Sequence, residues 1–325
     1  MRGGGPSERF VREDLWFGVA GRFRYCTCAF CGTVFQDPQV AAADIGHLYP
    51  ATYYTHAPAE PAAPCPAPVP ARAMAGARDR WRGALRDAIR GGGHGLARVL
   101  ARSRSLRQRA YFGLTDELIP RASDRRALEV GSGAGDLLML LGQAGWPEVE
   151  GVDFDAAAAE RARARSGRPV QVAPFPDVDL PAGAFDLVVL VHVFEHLPDP
   201  RAVLARLREL LSRDGRAVVI GPNPRALGAR AFRTLLGRLG SAAAPGAAAR
   251  GRAGRRGARP GLRVAGARTR TRFAEDFTLS RAWKAGRSAG PVVLRDRLWR
   301  ALGASLAAAG AEVGEEMVVV LRRAE

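Results

Sequence analysis

The sequence predicts an α/β domain: a doubly wound, seven-stranded, mostly parallel sheet with helices on both faces, preceded by a small N-terminal extension. Three observations carry this. Between residues 126 and 221, short apolar runs of strand length alternate with runs of helix length. A glycine-rich turn, Gly131-Ser132-Gly133-Ala134-Gly135, joins the first of these strands to the first helix. The run FDLVVLVHV (185–193) is apolar on both faces, as a central strand covered from both sides must be.

The elements follow in order. ALEV (127–130) is a short apolar strand bounded by glycine, and DLLMLLGQAG (136–145) is an apolar helix ending at Gly142 or Gly145. VEGVD (149–153) is the second strand, and AAAAERARAR (156–165) a helix with an arginine-rich outer face. VQV (170–172) and FDLVVLVHV (185–193) are the third and fourth strands. PRAVLARLRELL (200–211) is amphipathic, with Val203, Leu204, Leu207, Leu210 and Leu211 on one side. Asp199 and Pro200 supply its N-cap and first-turn residue. RAVVIG (216–221) is the fifth strand. Farther on, 261–273 reads as a strand, 294–310 as a helix and EEMVVVLRR (315–323) as a terminal strand. The two late strands are expected to pair at one edge of the sheet.

Six segments are expected: a cysteine-containing extension (1–56), a Pro/Ala linker (57–71), a helical segment (72–118), the α/β core (119–224), an Arg/Ala/Gly insertion (225–260) and a C-terminal part completing the sheet (261–325). Within the helical segment, Gly91-Gly92-Gly93 separates two helices, and the second leads to Ile119 before Pro120 ends it. The insertion is low in complexity and reads as disordered between 240 and 261.

Composition narrows the class. The 325-residue chain is 47% hydrophobic and 25% charged, the balance of a soluble protein with a core. It has no apolar run of the ~20 residues a spanning helix needs, and Met1–Gly18 is too polar for a signal peptide. Four cysteines are no disulfide scaffold, so a cytoplasmic protein with reduced thiols is expected. The formal net charge of +17 is unevenly placed. Residues 72–109 carry +9 and 225–272 carry +13, whereas 110–224 carries −5. Only one of the 49 basic residues is lysine, Lys284, and few aromatics interleave the arginines. Solvated charge is therefore the preferred reading, and nucleic acid is not the expected partner.

The chemistry is concentrated at the strand ends. Glycine lets the 131–135 backbone turn sharply and a ligand approach without meeting a Cβ. A dinucleotide fingerprint would place a third glycine at position 136, which is Asp136, so a diphosphate is disfavoured. Glu129 would likewise repel phosphate and suits a cationic or amine-bearing ligand. Asp153 lies roughly 20 residues past the loop, where an acid can accept two ribose hydroxyls or merely cap the next helix. The fourth strand runs into His192-Val193-Phe194-Glu195-His196-Leu197-Pro198-Asp199. His192, Glu195 and His196 are candidate catalytic residues, with a loop-shaping role for Glu195 and His196 as the other reading. Asp199 reads as a helix cap.

ALEVGSGAGDLL, EGVDFD, FDLVVLVHVFEHLPDP and LLSRDGRAVVIGPNP, in this order, resemble the class I S-adenosylmethionine-dependent methyltransferases over about residues 120–224. The resemblance implies a Rossmann-like sheet whose last strand is antiparallel, with adenosylmethionine over the glycine loop. It implies that Glu129 meets the methionine amino end, that Gly131, Ser132, Gly133 and Gly135 line the cofactor, that Asp153 holds the ribose and that Phe154 flanks the adenine. Phe175 or Asp177 would cover the adenine. The implied reaction is methyl transfer to a small-molecule acceptor at oxygen or carbon. The alternatives are an RNA or protein methyltransferase docking through the arginine segments, and a non-catalytic cofactor-binding relative.

Two departures stand out. Cys28-x-x-Cys31-Gly resembles half of a zinc knuckle, and CAFCGTVFQDP with LYPATYY looks like the N-terminal extension of bacterial small-molecule and sugar methyltransferases. Those enzymes complete the site with an upstream cysteine pair that is missing here, so neither zinc nor any other metal is expected. After Pro222-Asn223-Pro224, an Ala/Gly/Arg run stands where related enzymes carry a His-bearing aromatic segment. The oligomeric state is not legible.

Overall fold

The structure, a computed structural model, describes residues 6–13, 21–29, 33–38, 85, 88, 99, 114–227, 246–247, 261–271 and 293–324. The Pro/Ala linker, most of the helical segment, Cys31, Cys65, the LYPATYY string and most of the Arg/Ala/Gly insertion lie outside the described residues. Leu85, Ala88 and Val99 are helical. The helix expected to lead to Ile119 is, over its described end, only a 3-10 turn at Asp116–Leu118.

Near the N-terminus, β1 (Pro6–Glu13), β2 (Arg22–Cys28) and β3 (Val34–Gln36) form an antiparallel sheet. Its fourth strand is β9 (Gly246–Ala247), two residues of the insertion that pair with Val34 and Phe35, where disorder was expected. Cys26 and Cys28 lie on β2, and Cys26 Sγ donates to Asp37 Oδ2 at 3.6 Å.

The main sheet has seven strands in the order β10-β11-β8-β7-β4-β5-β6. They are β4 (Arg126–Val130), β5 (Glu148–Asp153), β6 (Val170–Val172), β7 (Phe185–Val191), β8 (Leu211–Pro222), β10 (Leu262–Arg270) and β11 (Glu316–Arg323). β4, β5 and β6 pair in parallel, whereas β11 is antiparallel to both β8 and β10. The two late strands thus pair at the edge, as the sequence predicts.

The chain forms two compact units. One comprises 57–189 and 209–216. In it, α1 (Asp136–Ala144) buries Leu138, Leu141 and Ala144, and α2 (Ala156–Ser166) buries Ala158, Ala159 and Ala162. Each fully buried leucine stabilises by roughly 1.5–3 kcal/mol. The alanines let α2 lie close to the glycine turn: a Cβ at Gly135 would stand 2.8 Å from the Ala162 backbone. Arg216, nearly inaccessible, ties the entry to β4 in place. Its guanidinium pairs with Asp124 at 2.8 Å, donates to the carbonyls of Glu117 and Ile119, and stacks over Trp146. Trp146 Nε1 donates to the Leu118 carbonyl at 2.9 Å.

The other unit comprises 1–56, 190–208 and 217–325. It holds α3 (Pro200–Leu210, all but its last two residues), the apolar body of β8, α4 (Leu294–Ala308) and the β10–β11 pair. Asp199 Oδ1 accepts from the amides of Arg201 and Ala202, the cap the sequence predicts. The Asn223 side chain donates to the Gly314 and Glu312 carbonyls, which fixes the turn leading into β11.

Candidate active site

At the carboxyl end of β4 the chain leaves the sheet through the glycine turn. The Gly131 amide still donates to the Val152 carbonyl at 2.7 Å, and the Gly135 amide closes the turn on the Ser132 carbonyl at 2.8 Å. Gly131, Gly133 and Gly135 have φ of 75°, 50° and 81°, conformations that only glycine adopts without steric cost. Ser132 is buried, and its hydroxyl donates to the Val152 carbonyl.

Asp153, the last residue of β5, reaches this turn. Its Oδ2 accepts from the Gly133 amide at 2.8 Å and its Oδ1 from the Asp155 amide at 3.0 Å. It does not cap α2. Asp155 does, accepting from the amides of Ala157 and Ala158. Asp153 therefore keeps lone pairs on both oxygens for a ligand while holding the turn that would cradle it. Burial pushes its carboxyl above the ordinary aspartate value, against the pull of its backbone hydrogen bonds.

Glu129 lies on β4, just before the turn. It is 5% exposed, and its Oε2 is buried with no hydrogen-bond partner. Burial, then the Asp153 charge, hold its carboxyl well above the ordinary glutamate value, only partly opposed by the Leu138 amide. A buried carboxyl with one unpartnered oxygen, beside a second acid, fits a ligand that brings a positive charge. Phe154 is exposed next to Asp153, Phe175 is buried and Asp177 is exposed.

In the second unit, β7 ends at Val191, not at Val193 as its apolar run suggested. His192 leaves the strand at φ 54°, the one non-glycine residue with positive φ among those described. Its amide donates to the Ile220 carbonyl, and its ring lies between two carboxylates. Nδ1 is 3.3 Å from Glu195 Oε1 and Nε2 is 2.9 Å from Glu316 Oε1. Arg270 Nε donates to Glu316 Oε2 at 2.6 Å. Glu195 and Glu316 are almost wholly buried. Gly221 leaves room for Glu195, because a Cβ there would stand 3.3 Å from Oε2. His196 ends the short 3-10 turn Phe194–His196.

Glu316 and Arg270 escape sequence reasoning. Glu316 is 124 positions from His192, and its only local signal is an acid opening an apolar strand. Among the described residues, no three His, Cys, Asp or Glu side chains form a metal-binding group. No described helix is long and apolar enough to cross a membrane.

Residues 103–255 match the family model described as "Methyltransferase domain". Over 105 residues the chain is 33% identical to the ubiquinone biosynthesis O-methyltransferase of Bordetella avium, covering 30% of this chain and 43% of that one. It is 35% identical over 116 residues to the demethylmenaquinone methyltransferase of Thermus thermophilus, covering 32% and 50%. The chain thus spans half or less of the length of these curated relatives. Similar solved structures include one of the complex between the Haloferax volcanii Trm112 methyltransferase activator and a methyltransferase, at 16% identity and TM-score 0.47 over 64% of this chain and 88% of that chain. Another is an S-adenosylmethionine-dependent methyltransferase of Mesorhizobium loti, at 16% identity and TM-score 0.42 over 63% and 94%. The family match covers less than half of this chain.

Proposed function

We propose that this chain is an S-adenosylmethionine-dependent methyltransferase of a small-molecule acceptor, methylating oxygen or carbon. The observation that carries the reading is the buried carboxyl of Glu129, one of its oxygens without a hydrogen-bond partner, beside the glycine turn and Asp153. This donor set fits the cofactor, which has an ammonium for Glu129 and a ribose for Asp153. Gly131, Ser132, Gly133 and Gly135 would line it, and Phe154 and Phe175 would flank its adenine. When bound, the cofactor supplies a methyl group on a sulfonium, ready for in-line displacement. The protein's task is then to align the acceptor and exclude water.

Proton handling for a hydroxyl or acidic-carbon acceptor falls to His192, Glu195 and His196, of which His192 and Glu195 are in contact. Two curated relatives carry quinones in their names, ubiquinone and demethylmenaquinone, which supports a quinol-like acceptor.

Calorimetry with S-adenosylmethionine tests the assignment. Asp153→Ala and Gly133→Val should lose binding. His192→Ala should bind normally yet fail to transfer a labelled methyl to a demethylated quinol. Undiminished transfer by His192→Ala would remove that residue from the machinery.

A further inference from the structure

Glu195, His192, Glu316 and Arg270 form a line of groups whose charges alternate: carboxylate, imidazole, carboxylate, guanidinium. They come from four separate places in the chain: the 3-10 turn at 194–196, the exit of β7, the start of β11 and the end of β10. The ring sits between acceptors on both sides. An ionised carboxylate cannot donate, so each ring nitrogen that faces one must carry a proton. Arg270, at 2.6 Å, keeps Glu316 ionised, which fixes a proton on Nε2. One proton remains for the Nδ1–Glu195 contact. The charge on Glu316 favours placing it on the ring, because a cation between two anions is more stable there than a neutral ring beside a neutral acid. With side-chain exposures of 14% for the ring and 3% for Glu316, water screens these interactions little.

We propose that Glu316 is a positioning residue that, with Glu195, holds His192 as a doubly protonated imidazolium at neutral pH. His192 then has no lone pair with which to accept a proton. It contributes a fixed positive charge and two donors, and the proton-accepting atoms of the cluster are carboxylate oxygens, those of Glu195 being on the same turn. The same clamp explains how a non-glycine residue persists at φ 54°, a left-handed conformation that disfavours a Cβ. The terminal strand is thereby coupled to the loop that follows β7. This inference narrows the catalytic reading above, moving proton acceptance from the His192 ring to the carboxylate oxygens beside it, and rests on that reading for its functional meaning. Among the described residues, the charged groups in contact with the ring include Glu195 from the 3-10 turn and Glu316 from β11, with Arg270 of β10 acting through Glu316; β8 offers the Ile220 carbonyl to the His192 amide.

Nitrogen-15 NMR of the histidine ring nitrogens across pH 5–9 tests it on the full chain. The wild-type ring should carry protons on both nitrogens at pH 7. In Glu316→Gln the midpoint of its titration should fall by at least one pH unit, a tenfold loss of proton affinity, and Glu316→Asp should recover part of it. A singly protonated wild-type ring at pH 7, or an unmoved midpoint in Glu316→Gln, would overturn the proposal. The wild-type spectrum decides even if the variant fails to fold. Calorimetry with S-adenosylmethionine on the same samples separates the two readings: a wild-type chain that binds none defeats the methyltransferase assignment and leaves the ring titration to be judged by itself.

Discussion

Glu129→Gln should stabilise the protein while weakening its grip on the cofactor, and the two effects share one cause. The carboxyl is buried, one oxygen lacks a partner, and Asp153 adds a like charge. Its proton affinity in the folded chain is therefore raised well above the ordinary value of 4.5. Between that value and the raised one, the folded state holds a proton that the unfolded state has lost, so the contribution of Glu129 to stability falls as pH rises. For one proton the slope is about 1.4 kcal/mol per pH unit. Glutamine keeps the shape but cannot ionise. The stability difference between variant and wild type should thus grow by about 1.4 kcal/mol per unit through this window, then level off. Asp153, whose carboxyl is also raised, is present in both proteins and largely cancels. Denaturant unfolding at a series of pH values measures the difference directly. An ammonium placed beside Glu129 removes the penalty by restoring a paired charge. Cofactor binding should therefore release a proton in the wild type and not in the variant, seen by calorimetry in buffers of different ionisation enthalpy. The variant should bind about ten- to a hundredfold more weakly, the worth of a charged hydrogen bond of ~1.5–3 kcal/mol. Unfolding free energies that run parallel with pH in the two proteins would refute the reasoning.

Two further predictions concern the frame around the site. Asp124→Ala should cost roughly 3–5 kcal/mol, because it leaves the buried Arg216 without its carboxylate, whereas replacing both partners with apolar residues should recover most of the loss; chemical denaturation of the two variants checks this. Gly135→Ala should lower the melting temperature, since it adds a left-handed strain of roughly 1–2 kcal/mol and drives a Cβ into the Ala162 backbone.

The α/β core was legible because its period is local. Alternating apolar runs and the turn at 131–135 placed β4 to β7 and the first three helices within a residue or two. The glycine turn and its two acids, too, lie within 25 residues of sequence, where spacing carries the information. The misreadings have identifiable causes. β8 begins at Leu211 rather than Arg216, because Ser212 is tied to Asp186 and Gly215 lies against the Phe185 carbonyl. Its glycine serves a close approach within a strand, and composition cannot distinguish that from a break. β7 stops two residues early because His192 is drawn out of the strand by carboxylates on other elements. One of these, Glu316, and its partner Arg270 arrive from strands that lie 124 and 78 positions beyond His192. Only the antiparallel edge pairing brings them there, and no local pattern encodes which acid faces which ring.

The central claim is that the glycine turn with Glu129 and Asp153 holds a sulfonium nucleoside and not a dinucleotide. Titrating the purified wild-type chain with S-adenosylmethionine, and separately with a nicotinamide dinucleotide, tests this most directly. The account predicts heat and a raised melting temperature with the first and neither with the second. The reverse pattern would contradict it.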